Sequence, residues 1–141
     1  MSRENVELVR RFARSWAERD LDAAMDCVHD EIEVDWSDSI GPFPGTYKGR
    51  GEVRRFWNQI MEAWDEFRPE VVEVLESGPE RLITLNRIRA RGRQSGVAIE
   101  ARSAMVWTVK EGRILRMKMF QTKDAALEAV GAAGQDARGR A

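Results

Sequence analysis

Val97-Ala98-Ile99-Glu100-Ala101-Arg102-Ser103-Ala104-Met105-Val106-Trp107-Thr108-Val109, followed by Lys110-Glu111-Gly112 and residues 113–121, is the stretch that decides the fold. Val97, Ile99, Ala101, Ser103, Met105, Trp107 and Val109 share one face, and all but Ser103 are apolar. Side chains on a strand alternate between faces, so this pattern reads as a long strand lying on a core. A three-residue loop ending at Gly112, with glycine taking positive φ, turns it into residues 113–121. That register sets Trp107 opposite Leu115, Met105 opposite Met117 and Ser103 opposite Met119. It leaves Val106, Ile114 and Phe120 pointing away from the core.

Upstream, residues 81–91 form the neighbouring strand, and Gly92 to Gly96 close the hairpin. A two-residue Gln94-Ser95 loop pairs Ser103 with Asn86, Met105 with Thr84 and Arg89 with Glu100, a favourable cross-strand pair. Arg87, Arg89, Arg91 and Arg93 then form an outward stripe. Ser77-Gly78-Pro79-Glu80 turns the chain from an earlier strand, which starts at Pro69 and contains Val71, Val72, Val74 and Leu75.

The first part of the chain changes period. Val6, Val9, Ala13 and Trp16 recur at three and four residues, with Leu8 and Phe12 beside them, as on one face of a helix. Ser2 suits its N-cap and Glu4 its first turn. A short helix follows Asp20 and buries Leu21, Ala24, Met25 and Val28. Ile32, Val34 and Trp36 then alternate with Glu33 and Asp35 as a short strand. Gly41-Pro42-Phe43-Pro44-Gly45 is a rigid loop. After Gly49 and Gly51, Val53, Phe56, Trp57, Ile60, Met61 and Trp64 mark an aromatic helix. Thr122 caps a last helix carrying Ala125, Ala126, Leu127 and Val130. Helices followed by hairpin-linked strands give an α+β class with a curved antiparallel sheet.

The chain has 141 residues, enough for one domain over residues 1–130, and residues 131–141 read as a flexible tail. Its 23 Lys+Arg against 24 Asp+Glu lack the basic excess of a nucleic-acid or membrane-surface protein. The polar start is unlike a signal peptide, and no apolar run reaches the ~20 residues of a membrane helix. Cys27 is the only cysteine, which fits a reducing cytoplasm. No His, Cys and carboxylate cluster has metal-ligand spacing, and no motif for a cofactor is present, so neither is expected.

The order of first helix, Asp20-Leu21-Asp22 helix start, short strand, Tyr47-x-Gly49 loop, aromatic helix and Gly112-centred hairpin resembles the SnoaL-like branch of the nuclear transport factor two-like superfamily. The resemblance spans roughly residues 3–130. It implies a cone-shaped roll of the ketosteroid isomerase or cystatin-like type, whose N-terminal helices cover an apolar pocket. It also implies a homodimer through the outer sheet face, and Val106, Ile114 and Phe120 there suit a two-fold partner. The superfamily mixes enzymes with non-enzymes, so the fold leaves the chemistry open.

The resemblance places Phe12, Trp36 and Met105 where ketosteroid isomerases carry an oxyanion-donating tyrosine, a base and a protonated acid. None of the three has such a group, so that activity is not expected. In epoxide-hydrolase relatives the catalytic aspartates and arginine fall near Met119, Arg87 and Arg89, again without the carboxylate pair. The hairpin register puts Arg87 and Arg89 outside, whereas that alignment puts them in the pocket.

From the residues themselves, Phe12, Trp16, Trp36, Tyr47, Trp57, Met105, Trp107, Met117 and Met119 suit an adaptable apolar cavity for a small ligand. Any one of them also reads as plain core. Asn86 and Ser103 should face inward, either bonded to each other or orienting a ligand carbonyl. His29 is a helix-end histidine or a base, and Asp35 is an exposed carboxylate or a pocket acid. The leading reading is a pocket for a small apolar or amphipathic molecule. The alternatives are an isomerase, cyclase or hydratase working through His29, Asp35 and Asn86, or a dimerisation module with a filled core. The arginine stripe is a solvated or dimer-facing surface ahead of an anion or RNA site.

Overall fold

The computed structural model describes residues 3–39, 41 and 43–139. Ser2, Pro42 of the rigid loop and the last two residues of the expected tail lie outside them. The elements are α1 (Arg3–Ala17), α2 (Leu21–Asp26), β1 (Val28–Asp35), β2 (Thr46–Lys48), α3 (Arg50–Ala63), β3 (Trp64–Glu76), β4 (Arg81–Gly92), β5 (Ala98–Lys110), β6 (Arg113–Phe120) and α4 (Lys123–Gly139).

The strands form one open sheet in the order β2-β1-β6-β5-β4-β3. Four of its five pairings are antiparallel, and β1 runs parallel to β6. The long excursion between β1 and β6 permits that parallel pair, since a parallel connection needs a crossover. Register shifts in β1/β6, β3/β4 and β5/β6 mark bulges, which bend and twist a sheet. The bend makes a concave face, and α1 and α3 close over it through Leu8, Val9, Phe12, Trp16, Phe56, Trp57 and Ile60. This is the expected α+β cone.

The β4/β5 register matches the sequence reading: Asn86 faces Ser103, Thr84 faces Met105 and Arg89 faces Glu100. The β5/β6 register does not. The turn has two residues, Glu111 and Gly112, both with positive φ (55° and 73°), as a tight hairpin turn requires. Trp107 pairs with Met117 and Met105 with Met119. Leu115 is the extra residue of a bulge, so Val109 meets Ile114 while Thr108 meets Arg116. The bulge resets the alternation, and Ile114 points inward, 0% exposed, against the outward orientation expected from strict period two.

Trp64 also departs from the sequence reading. It is not the last helical stripe residue but the extended first residue of β3 (φ −122°, ψ 127°). Arg19 sits across this junction. Its guanidinium donates to the carbonyls of Met61 (2.6 Å), Trp64 (3.0 Å) and Asp65 (3.2 Å), satisfying groups that the end of α3 leaves open.

The outer sheet face carries a cover of its own. Ile83, Ala104 and Phe120 are buried with Ala126 of α4, and Val106, Leu85 and Val130 pack beside them. Val106 and Phe120 therefore lie under a helix of the same chain instead of awaiting a partner. Thr122 caps that helix, its Oγ1 accepting from Ala125 N at 3.1 Å. The backbone helix continues to Gly139, through most of the stretch read as a tail. Alanine-rich sequence favours this, because alanine has the best helix propensity.

Candidate functional site

Two helices and four strands converge on one cavity beneath α1 and α3. Helix α1 supplies Phe12, Ala13 and Trp16, and α3 supplies Phe56, Trp57 and Ile60. The strand side is built by alternation. Phe67, Pro69 and Val71 of β3 lie opposite Ala90, Ile88 and Asn86 of β4, and Ser103, Met105 and Trp107 of β5 follow the same face. Trp36, just past β1, and Met117 of β6 complete the wall.

The aromatic rings brace one another at angles. Phe12 lies 5.2 Å from Trp57 and 5.6 Å, nearly edge-on, from Trp107; Trp16 meets Trp57 edge-on at 5.9 Å. Tilted and edge-to-face pairs of this kind are the favoured geometry of aromatic rings. They leave about 50 Å³ of space between them.

Besides the indole N–H groups of its tryptophans, the cavity's polar side chains come from a single cross-strand pair. Asn86, 7% exposed, stands opposite Ser103 on neighbouring strands. The two do not bond to each other: Ser103 Oγ is buried without a hydrogen-bond partner. A buried hydroxyl left unpaired costs about 1–3 kcal/mol, so this one is an unfilled donor and acceptor in the strand wall of the cavity. Thr84, one alternation further along β4, is satisfied, because Trp107 Nε1–H donates to its Oγ1 at 2.8 Å. No Asp, Glu, Lys, Arg or His is among the lining residues.

Nine of the eleven residues proposed from sequence line this cavity: Phe12, Trp16, Trp36, Trp57, Asn86, Ser103, Met105, Trp107 and Met117. Tyr47 and Met119 do not. Tyr47 lies behind the wall, stacked on Phe56 at 4.0 Å and donating to the Phe43 carbonyl at 2.9 Å. The bulge places Met119 opposite Met105, where it is packed in the core. Sequence reading missed Ala13, Phe56, Ile60, Phe67, Pro69, Val71 and Ile88. Phe67-x-Pro69-x-Val71 carried a usable period-two signal, hidden by starting that strand at Pro69. Ala13, Phe56 and Ile60 were read as helix stripe only.

The titratable candidates lie elsewhere. Asp35 is buried (8% exposed), not exposed as the alternation suggested, but on the opposite side of β1 from the cavity. Its Oδ1 accepts from Ser37 N (3.1 Å) and Ser37 Oγ (2.6 Å), and Oδ2 lies 3.5 Å from Lys118 Nζ. Burial pushes its pKa up, but the Ser37 bonds and the Lys118 charge outweigh it and hold the carboxyl below its ordinary value. His29 lies within β1, its Nδ1 accepting from Glu31 N at 3.0 Å and its Nε2 4.0 Å from Glu111. Arg87 reaches Glu70 (3.8 Å) and Glu100 (3.7 Å), and Arg89 is exposed on the same outer face, so neither enters the pocket.

The SnoaL-like domain model matches residues 9–117, most of the chain. The chain belongs to the SnoaL-like family. Within this SnoaL-like domain, Phe12, Trp36 and Met105 all line the cavity and carry no acid, base or oxyanion donor. No curated protein matches the chain. Among solved structures, an NTF2-like protein of unknown function from Burkholderia pseudomallei is 22% identical, covering 92% of this chain and 98% of its own, with TM-score 0.75. A Mycobacterium tuberculosis protein in complex with estradiol-17beta-hemisuccinate is 17% identical over 86% of this chain and 95% of its own, TM-score 0.73. Delta 5-3-ketosteroid isomerase from Mycobacterium sp. is 15% identical over 85% and 94%, TM-score 0.71. At these identities the likeness is one of fold. Among the described residues no group of His, Cys, Asp and Glu is placed to hold a metal ion, and no helix is long and apolar enough to cross a membrane.

Proposed function

We propose that this SnoaL-like domain binds a small apolar or amphipathic molecule in the cavity beneath α1 and α3. The observation that carries the reading is the unpaired, buried Ser103 Oγ beside Asn86 in a wall of aromatic and aliphatic side chains without a charge. A plain core excludes such a group or satisfies it, whereas a ligand site uses a few polar groups to orient its guest. The steroid derivative bound by the Mycobacterium tuberculosis neighbour supports the same use of the fold. The lining has no ionisable side chain to move a proton, and His29 and Asp35 are engaged elsewhere, which favours binding over acid–base turnover.

Mass spectrometry of small molecules extracted from freshly purified protein tests this. The reading expects a neutral organic species at up to one per chain. Its failure is a protein that yields none and whose melting temperature no neutral apolar compound raises.

The proposal includes a homodimer. Its support is the outer face that α4 leaves open, where Val72 is 55% exposed beside Arg87 and Arg102. Light scattering should then report twice the 16.1 kDa chain mass. A cytoplasmic, reducing setting is supported by the single cysteine, buried and unpaired at Cys27.

A further inference from the structure

We infer that the pocket is built for a single-ring, uncharged molecule with one carbonyl-type oxygen, and that Ser103 and Asn86 together receive that oxygen. The inference rests on the binding reading above and narrows it by size, charge and polarity.

Size comes first. The space between the lining side chains is about 50 Å³. A cavity of ~150 Å³ takes benzene, and drug-sized ligands occupy ~300 Å³ or more. A single ring therefore asks the space to grow about threefold, and a drug-sized body such as a fused four-ring skeleton about sixfold or more. The parts of the wall able to yield are Met105 and Met117, whose unbranched side chains adopt new rotamers at low cost. The braced rings of Phe12, Trp16, Trp57 and Trp107 resist, because each leans on another.

Charge follows from the lining, which has no ionisable group to pair with an ionic guest. Burying an unpaired charge is far costlier than burying a neutral polar group. Polarity follows from the pair. Residues directly opposite on antiparallel strands hold their Cβ atoms ~5 Å apart, so an oxygen lodged between Asn86 and Ser103 lies within reach of both. A carbonyl oxygen has two lone pairs and accepts from the hydroxyl and the amide together.

The test compares acetophenone, ethylbenzene and estradiol by thermal shift and by tryptophan-fluorescence titration, on wild type and on Ser103→Ala. The inference expects both single-ring compounds to bind, with the ketone tighter. Ser103→Ala should weaken acetophenone about five- to tenfold, the value of one hydrogen bond, and leave ethylbenzene unchanged. Without ligand the variant should melt no lower than wild type, since it deletes an unpaired buried hydroxyl. Should it fail to fold, the ketone-to-hydrocarbon ratio on wild type carries the polarity test. Estradiol binding without either single ring overturns the size class and leaves the pocket reading standing. Equal weakening of both single rings by the substitution overturns the polar assignment. No response to any of the three overturns this inference, and the pocket reading falls with it if the purified protein also yields no extracted small molecule.

Discussion

Trp107 joins the cavity wall to the sheet, and truncating it gives the sharpest stability prediction. Its side chain is 3% exposed, leans edge-on against Phe12 and donates its indole N–H to Thr84 Oγ1 at 2.8 Å. Trp107→Ala empties a buried aromatic site, at about 3–5 kcal/mol. It also strips a fully buried Thr84 hydroxyl of its donor, adding about 1–3 kcal/mol. The sum approaches the ~5–15 kcal/mol total of an ordinary domain, so this variant should be largely unfolded at modest urea. A double-mutant cycle reads the hydrogen bond more gently. Trp107→Phe and Thr84→Val each leave a buried partner unpaired, and the double variant leaves neither. The double should thus be about 1 kcal/mol more stable than the two single losses predict when added. Urea unfolding followed by circular dichroism supplies the four stabilities. Additivity within ~0.3 kcal/mol, or a near-neutral Trp107→Ala, would refute the reasoning.

Arg19→Ala removes the donor shared by the Met61, Trp64 and Asp65 carbonyls and should cost about 1–2 kcal/mol in urea unfolding; an unchanged midpoint contradicts it. Asp35 has a folded pKa below its ordinary value, so its contribution is full above the ordinary carboxylate range and is lost as pH falls through the folded pKa. Wild type should therefore exceed Asp35→Asn in stability at pH 7, with the gap narrowing below about pH 4; a gap constant with pH sinks the assignment. Phe120→Asp places a charge under α4 among Ile83, Ala104 and Ala126, and should detach the helix, seen as increased binding of a hydrophobic dye. Dye binding at the wild-type level would show that α4 does not seal that face.

Much of the architecture was legible because alternation and turn chemistry are local. The β4/β5 register came from a single turn, and it placed Asn86 opposite Ser103 and both arginines outside. The β5/β6 register slipped because a bulge at Leu115 breaks the alternation, and no residue type announces a bulge. Ile114 and Met119 were misjudged for that one reason. Asp35 was misread because alternation says which face a side chain takes but not what covers that face. Here Ser37, two residues on, bonds it locally, while Lys118 and Thr46 cover it and reach Asp35 only through strand pairing distant in sequence. The cover over Phe120 was missed for a similar reason: a helix of small residues looks too weak to dock, yet Ala126 is small enough to lie close on the sheet. The unpaired Ser103 hydroxyl depends on its surroundings in three dimensions, and sequence offered only its inward orientation.

The most direct test uses the five tryptophans as reporters. Trp16, Trp36, Trp57 and Trp107 line the cavity, whereas Trp64 stands at the start of β3 outside it. Two-dimensional NMR of the indole N–H groups in ¹⁵N-labelled protein, titrated with acetophenone, resolves each of them. The account predicts saturable shifts in the four cavity tryptophans, with Trp64 nearly still. Shifts confined to Trp64, or equal small drifts of all five without saturation, would contradict it.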